Sequence, residues 1–214
     1  MTSEPLFDPA FREGFDQLLR WRRDVRHFRR TPVAETDLEA MFDAAALAPS
    51  VGNAQPWRFV RITSPTLRMM LAAHVDEASA EAAAALPDAE RAAAYRRLKL
   101  HGLREAPVLL AIFNDEAPIA GHGLGRATMA ETLRYSTVMA IHTLWLAARV
   151  RGIGVGWVSI LDPDYVTAQL GVPESWSLIA LLCIGYPEAP AATPELERRG
   201  WQARESMAAR IFER

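Results

Sequence analysis

The sequence has very little cysteine and no excess of basic charge, and both absences narrow the range of functions. Its 214 residues include one cysteine, Cys183, which excludes disulfides within the chain and cysteine-based metal sites. Cys183 lies in the apolar run 178–184, so a small buried side chain is a better interpretation than a nucleophile. The formal net charge is -2, which gives no indication of a nucleic-acid partner.

Long apolar segments are also missing. No uncharged stretch approaches the length of a transmembrane helix. Residues 1–8 contain acids and a proline, whereas a secretory signal peptide would have a basic start and an apolar run. We therefore expect a cytoplasmic protein with no membrane attachment. The histidines, at positions 27, 74, 101, 122 and 142, lack the spacing of metal ligands, and we predict no metal site.

Charge is concentrated in one short segment. Residues 22–26 read Arg-Arg-Asp-Val-Arg, directly after a predicted amphipathic helix. Arginine suits phosphate because its fork of donors matches phosphate oxygens and keeps its charge. The neighbouring arginines should favour the charged form of Asp24, which would make it an acceptor or a base at neutral pH. By itself, such a cluster is more typical of a solvated helix end with one ion pair.

Two further segments carry short polar or small residues. The loop 49–57, Pro-Ser-Val-Gly-Asn-Ala-Gln-Pro-Trp, offers donors and acceptors from Ser50, Asn53 and Gln55 between two rigid prolines. Residues 152–159, Gly-Ile-Gly-Val-Gly-Trp-Val-Ser, open a predicted strand, and their glycines would let the backbone approach a flat ligand. A nucleotide-binding glycine loop is disfavoured, because such a loop precedes a helix.

The periodicity of apolar residues predicts one α+β domain over residues 1–214, with helices packed on a mainly antiparallel sheet. The long helix is apolar on most sides, which indicates a core or a subunit interface. The alanine-rich run 78–85 is interpreted as part of a peripheral, mobile flap, and residues 186–214 as a C-terminal arm over another surface. Helices are predicted at residues 9–23, 35–47, 127–150 and 163–171 and through most of 65–105; strands are predicted at 57–62, 106–113, 154–160 and 177–184.

Taken together, segments 22–26, 49–57 and 152–159 resemble three flavin-contacting segments of the nitroreductase-like flavoproteins, in the same order. The resemblance covers about residues 17–185. Within that family, the chain is most similar to the group that consumes reduced FMN. That group carries an acid at the position of Asp24, where ordinary nitroreductases usually have serine, and the strand sequence found here from Gly154 to Ser159.

The resemblance implies a function as well as a fold. It implies a homodimer with two flavins at its interface, each held by both subunits. Reduced FMN would be a substrate, fragmented with dioxygen to 5,6-dimethylbenzimidazole, the lower ligand of vitamin B12, and erythrose 4-phosphate. NAD(P)H would act only through a separate flavin reductase, a transient partner. The alternatives are an NAD(P)H-dependent nitroreductase or flavin reductase on the same fold, and a flavin-storage protein, which the carboxylate of Asp24 disfavours.

The resemblance also assigns site residues. Asp24 is the predicted general base or proton shuttle, and Ser159 the predicted hydrogen-bond donor near the reactive ring. The alternative for Ser159 is a capping role at a strand end. The tail arginines 198, 199 and 204 are more typical of solvated charges than of phosphate ligands. The predicted FMN-binding residues are Arg22, Arg23, Asp24, Val25, Arg26, Ser50, Asn53, Gln55, Leu100, Gly156, Trp157, Val158 and Ser159.

Overall fold

The computed structural model describes residues 5–214 and shows an antiparallel sheet covered by helices on both faces. Its strands pair in the order β1-β2-β4-β3, so β2 and β4 are central. The near-continuous apolar sequence of β4 follows from burial on both faces. The predicted α+β class and antiparallel sheet are confirmed. The strands are β1 (Trp57–Arg61), β2 (Val108–Asp115), β3 (Gly154–Val158) and β4 (Trp176–Gly185).

Local sequence signals mark the ends of several helices. Ser64 caps α3 by accepting from the Leu67 N–H, and Asp162 caps α6 in the same way. Gly171 ends α6 with a left-handed φ of 59°. The helices are α1 (Pro9–Trp21), α2 (Glu35–Ala46), α3 (Pro65–Ala84), α4 (Ala89–Arg96), α5 (Thr132–Val150), α6 (Pro163–Leu170) and α7 (Glu195–Arg198), with short 3-10 turns at Val51–Asn53 and Met207–Arg210.

The core has two layers, one on each face of the sheet. Alternate residues of β2 divide between them: Leu110 packs with α2 and α5, whereas Leu109 packs with α3 and α6. Cys183 lies in the second layer, fully buried, and burial raises the pKa of its thiol to about 12. A thiol in that environment is a packing residue, as the sequence indicated.

Several predicted boundaries are wrong, among them β2, which runs from Val108 to Asp115 instead of 106–113. Three of these errors matter for the site. The first helix ends at Trp21 instead of residue 23, which leaves Arg22 and Arg23 on an extended segment. The strand predicted to reach residue 160 ends at Val158. The long helix starts at Thr132 instead of residue 127. A turn precedes it, in which Gly121, His122, Gly123 and Gly125 all have positive φ, a conformation that a right-handed helix excludes.

Two helices expose apolar surface. No residue of α1 is buried, and Phe11 and Phe15 are 54% and 45% exposed. Tyr135, Val138 and Met139 of the neighbouring α5 are also exposed. The apolar face predicted for the first helix therefore does not pack into the core of its own chain. None of the helices within residues 5–214 combines the length and apolarity needed to cross a bilayer.

The C-terminal segment runs back along the residues that follow α1. The Arg29 N–H donates to the Tyr186 carbonyl at 2.8 Å, and the Glu188 N–H donates to the His27 carbonyl at 3.1 Å. Farther along, the Ala192 carbonyl accepts from Nε of Arg23. These contacts place residues 186–192 beside the charged segment 22–26.

Candidate active site

The charged segment 22–26 is held against the outer edge of β3. The Val25 N–H donates to the Val155 carbonyl at 3.0 Å, and Asp24 forms a parallel bridge with Val155. From the other side, Nε1 of Trp145 on α5 donates to the Arg23 carbonyl. The segment thus completes the sheet edge, and its side chains have fixed positions relative to β3.

Asp24 is the most constrained polar side chain of this segment. Its Oδ1 accepts from the Trp157 N–H at 2.8 Å, and its Oδ2 accepts from Arg26 at 2.9 Å. Burial raises the pKa of Asp24, while the charge of Arg26 and the Trp157 N–H act in the opposite direction. The expectation that neighbouring arginines would dominate is therefore wrong, because loss of water outweighs them. Asp24 binds a proton more readily than an exposed aspartate.

The glycines of β3 make room for the charged segment. A Cβ on Gly156 would overlap the Val25 carbonyl oxygen, and one on Gly154 would lie 2.7 Å from the Val25 side chain. Gly152, with a φ of 72°, turns the chain after α5. The glycines were expected to leave space for a flat ligand. For Gly154 and Gly156 this expectation is wrong, because Val25 occupies that space. A contact between Gly156 and FMN stays a prediction.

Ser159 follows the C-terminal end of β3, where the Asp24 carboxylate accepts from the Trp157 N–H. It is exposed and immediately follows the last strand residue, Val158. Ser159 is two residues beyond Trp157, whose N–H holds the Asp24 carboxylate. At about 3.3 Å per residue, this spacing corresponds to roughly 7 Å along the strand. This spacing places the Ser159 backbone near the Asp24 carboxylate, and their joint action on one planar ligand stays a prediction.

The loop 98–106 contacts the charged segment and the residues that follow it. The Lys99 carbonyl accepts from Arg26, and a Cβ on Gly102 would lie 2.5 Å from the Phe28 ring. The predicted FMN-binding residue Leu100 is half-buried in this loop. Sequence reasoning found Leu100 through the family resemblance, but it missed Lys99, whose contribution is a backbone carbonyl.

The same loop is tied to α3 by an acid that the sequence analysis did not select. Asp76 lies 2.8 Å from Nε2 of His101 and 2.7 Å from Arg104. Nδ1 of His101 accepts from the Leu103 N–H, so the hydrogen that it donates to Asp76 is on Nε2. No periodic pattern could have revealed this network, since Asp76 and His101 belong to different elements.

Arg22 and Arg23 are joined by a third guanidinium from the C-terminal arm. Burial lowers the pKa of Arg22 and of Arg23, and the positive charge of Arg204 is the second cause for both. Glu197 partly opposes this effect at Arg23. Within residues 5–214, neither Arg22 nor Arg23 forms an ion pair. Arg204 is exposed, as the sequence analysis expected, and it lines a cleft together with Arg23 and Glu197. Two guanidinium groups in one cleft suit a phosphate, and phosphate binding there stays a prediction.

The second polar segment has a strained backbone. Asn53 and Gln55 adopt left-handed φ values of 54° and 47°, which cost free energy in residues other than glycine. The Ser50 hydroxyl accepts from the Gln55 N–H at 3.1 Å and closes the turn. The side chains of Asn53 and Gln55 are exposed, and Ser50 is half-buried. A strained, exposed polar turn of this kind is typical of a ligand-binding segment.

The structure does not join this turn to the charged segment within one chain. The Val51 N–H donates to Ser136 near the start of α5, whereas Arg23 contacts Trp145 nine residues farther along that helix. At 1.5 Å per residue, the two contacts are about 14 Å apart. The site residues thus form two groups: residues 22–26, 99–100 and 156–159 in one, and Ser50, Asn53 and Gln55 in the other.

Comparison with known proteins identifies the class. The model of the nitroreductase family matches residues 19–186. The chain belongs to the nitroreductase family. It is 59% identical over 204 residues to a 5,6-dimethylbenzimidazole synthase of Rhodospirillum rubrum, an alignment that covers 95% of this chain and 96% of that protein. The resemblance seen in the sequence is confirmed.

Solved structures agree on the fold. An iodotyrosine deiodinase bound to FMN and 3-iodo-L-tyrosine superimposes with a TM-score of 0.69 at 24% identity, covering 82% of this chain and 91% of that one. A BluB-like flavoprotein from Clostridium difficile 630 also gives 0.69, at 22% identity and with coverage of 93% and 98%. At these identities the likeness concerns the fold.

Proposed function

We propose that this protein is a 5,6-dimethylbenzimidazole synthase, which fragments reduced FMN with dioxygen to 5,6-dimethylbenzimidazole and erythrose 4-phosphate. One observation carries the proposal: the Asp24 carboxylate is held between the Trp157 N–H and Arg26, in a chain 59% identical to a synthase of that name. An ordinary nitroreductase or flavin reductase is the alternative, and it has no evident use for this partly buried acid.

The side chains fit both ends of FMN. Positive charge is concentrated at Arg22, Arg23 and Arg204. Among residues 5–214, no carboxylate forms an ion pair with Arg22 or Arg23. A phosphate dianion would supply the counter-charge. Arg26 would donate to the polar edge of the ring from its place beside Lys99. Both assignments are proposals that variants can test.

Bound reduced FMN would supply the electrons that dioxygen requires. The role of the chain is to hold the ring and to move protons. Asp24 would take up a proton on Oδ1 or Oδ2, and its raised pKa suits exchange closer to neutral pH. The Trp157 N–H and Arg26 would keep its carboxylate in one orientation. The Ser159 hydroxyl would donate a hydrogen bond to the ring face at the end of β3.

We propose that two chains build each site. The exposed apolar faces of α1 and α5 would pack against a second copy and lose their contact with water. In such a dimer, each flavin would be bound by the charged segment of one chain. The turn at Ser50, Asn53 and Gln55 of the other chain would contact the same flavin. The separation of these two groups along α5 supports this arrangement. A cytoplasmic location and a separate flavin reductase also stay predictions.

Product analysis tests the function directly. The protein is incubated in air with FMN, NADH and a separate flavin reductase, and the products are identified by mass. The proposal expects 5,6-dimethylbenzimidazole and a four-carbon sugar phosphate, formed only when both enzymes are present. Rapid NADH oxidation by the protein alone, with FMN recovered intact, would instead establish a flavin reductase or nitroreductase.

A further inference from the structure

Helix α4 lies between the C-terminal arm and the candidate site. Just beyond its last residue, Arg96, the Lys99 carbonyl accepts from Arg26 at 3.4 Å. On another face of α4, the Arg91 guanidinium lies 4.7 Å from the ring centroid of Trp201. The Tyr95 ring meets the same indole edge to face, at a centroid distance of 5.8 Å and an angle of 65°. The helix thus contacts the site through its C-terminal extension and the arm through Trp201.

Trp201 has a fixed place on the arm. Its backbone N–H donates to the Leu196 carbonyl at 2.8 Å. The preceding residue, Gly200, turns the chain with a φ of 73°. Three residues later, Arg204 lines a cleft together with Arg20, Arg23 and the acid Glu197. One short stretch of the arm therefore holds α4 at one point and reaches the arginine cluster at another.

We propose that Trp201 is a positioning residue that couples recognition of the FMN phosphate to the stability of α4 and of the Lys99–Arg26 contact beside it. The inference rests on the proposed function, because it places a phosphate among Arg22, Arg23 and Arg204. An indole with a cationic partner on one side and an aromatic ring on another is a suitable link between two elements.

The physical reason lies in the charges. Arg204 repels Arg22 and Arg23, and the attraction of Glu197 for Arg23 only partly opposes this. We therefore expect the arm to be held less firmly without an anion. A phosphate reverses this repulsion and fixes Arg204. Trp201 then stays against Arg91 and Tyr95, and α4 keeps the Lys99 carbonyl on Arg26. Riboflavin has the same ring but no phosphate, so it should stabilise α4 less than FMN does.

Hydrogen exchange tests this coupling without requiring turnover. Exchange of the backbone amides of residues 89–100 is followed by mass spectrometry in the full-length protein, alone and saturated with FMN or riboflavin. FMN is expected to slow exchange in this segment about threefold more than riboflavin does, which is within the roughly two- to tenfold range that one aromatic or cation–π contact produces. Equal slowing by the two flavins would overturn the proposal.

Variants then identify the link. In Trp201→Ala, the extra protection by FMN should disappear, and the affinity for FMN should fall about tenfold while that for riboflavin changes little. Trp201→Phe should restore at least half of the protection. Arg91→Ala removes only the cation at an exposed site, and a partial loss of protection is expected. Phe212→Ala is the matched control, because it removes an exposed aromatic side chain from the same arm.

The outcomes separate this inference from the proposed function. Full FMN-specific protection in both Trp201→Ala and Arg91→Ala would overturn the coupling, even if the protein makes 5,6-dimethylbenzimidazole. The same would follow if Phe212→Ala abolished the protection as completely as Trp201→Ala. Failure of the unaltered protein to bind any flavin would overturn the proposed function and the coupling together.

Discussion

Asp24 combines two features that a proton-transfer residue needs: a fixed orientation and a perturbed proton affinity. Its two carboxylate oxygens have different partners, the Trp157 N–H and Arg26, so the side chain cannot rotate freely. Burial raises its pKa against the opposing effect of Arg26. General bases are most effective when their pKa lies near the working pH. The environment of Asp24 moves its pKa in that direction.

We expect Asp24→Asn to bind reduced FMN within a few-fold of the unaltered protein and to form little 5,6-dimethylbenzimidazole. Asparagine keeps the acceptor for the Trp157 N–H and removes the base, a loss worth about 10²–10⁴ in rate. Chromatography against an authentic standard measures the product, and FMN should be recovered intact. Asp115→Asn is the control, since Asp115 also pairs with an arginine, Arg58, but on β2. A normal yield from Asp24→Asn would refute the mechanism assigned to it.

Ser159→Ala tests the second predicted catalytic residue. The change removes one hydroxyl from an exposed position beyond β3, so folding should be unaffected. Flavin binding should stay within a few-fold, and product formation should fall markedly in single-turnover measurements. If flavin binding is lost and the rate from bound flavin is unchanged, Ser159 is a binding contact only.

Arg22 and Arg26 should differ in what they recognise. Arg22 shares a positive cluster with Arg204, whereas Arg26 is held by Asp24 and the Lys99 carbonyl. We expect Arg22→Ala to weaken FMN binding ten- to a hundredfold, about 1.5–3 kcal/mol, with little effect on riboflavin. Arg26→Ala should weaken both flavins to a similar degree. Fluorescence quenching gives both affinities, with the exposed Arg30→Ala as control. Equal weakening of both ligands by Arg22→Ala would place Arg22 away from the phosphate.

At the scale of elements, the charged segment depends on close backbone contact with β3. The Val25 carbonyl occupies the space that a side chain at Gly156 would need. Gly156→Ala should therefore lower the free energy of unfolding by about 1–3 kcal/mol, as overpacking typically does. Thermal unfolding measures the loss. Gly14→Ala is the control, because nothing lies near Gly14 and alanine favours the helix. Equal stability of the two variants would contradict the packing described here.

The link between α3 and the loop 98–106 should depend on pH. Burial acts to raise the pKa of Asp76, but hydrogen bonds from His101 and Arg104 outweigh it and leave the pKa below its usual value. A depressed pKa stabilises the fold above the pKa of the unfolded state, and this contribution is lost as the pH falls through the folded pKa. Asp76→Asn should thus lower the melting temperature at pH 7 and have little effect near pH 3. The effect should be at most about 1 kcal/mol, because Asp76 is half exposed.

Glu77→Ala is the control for that measurement, since Glu77 is an exposed acid on the same helix without an ion pair among residues 5–214. It should leave stability unchanged at both pH values. A constant destabilisation by Asp76→Asn across this range would show that packing, and not the charge of Asp76, holds the loop.

At the scale of the whole molecule, the exposed apolar faces of α1 and α5 predict a homodimer. Light scattering should give twice the chain mass of 23.7 kDa. Phe15→Glu places a charge on the face of α1 and should shift the protein toward monomer and weaken FMN binding. Met69→Glu, on exposed α3 surface, should do neither. A monomer that retains full activity at micromolar concentration would exclude a site shared by two chains.

The sequence by itself determined the element types, the antiparallel sheet and the segments that carry the predicted site. These follow from local signals: apolar periodicity for β4, the cap at Ser64, and the turn at Gly171. Such signals act within a few residues of the chain, so they can be read without knowledge of the fold. The charged segment was recognisable in the same way, since its arginines and its acid are neighbours in sequence.

Only the tertiary structure decided how those segments meet. In the folded chain, the charge of Arg204 acts on Arg22, and Gly156 packs directly against the Val25 carbonyl. It also reversed the expected pKa shift of Asp24, because desolvation depends on all the groups packed around a side chain and not on its sequence neighbours. Long-range packing and burial exist only once the chain has folded. For that reason, the sequence identified Asp24 as a candidate site residue but did not predict the direction of its pKa shift.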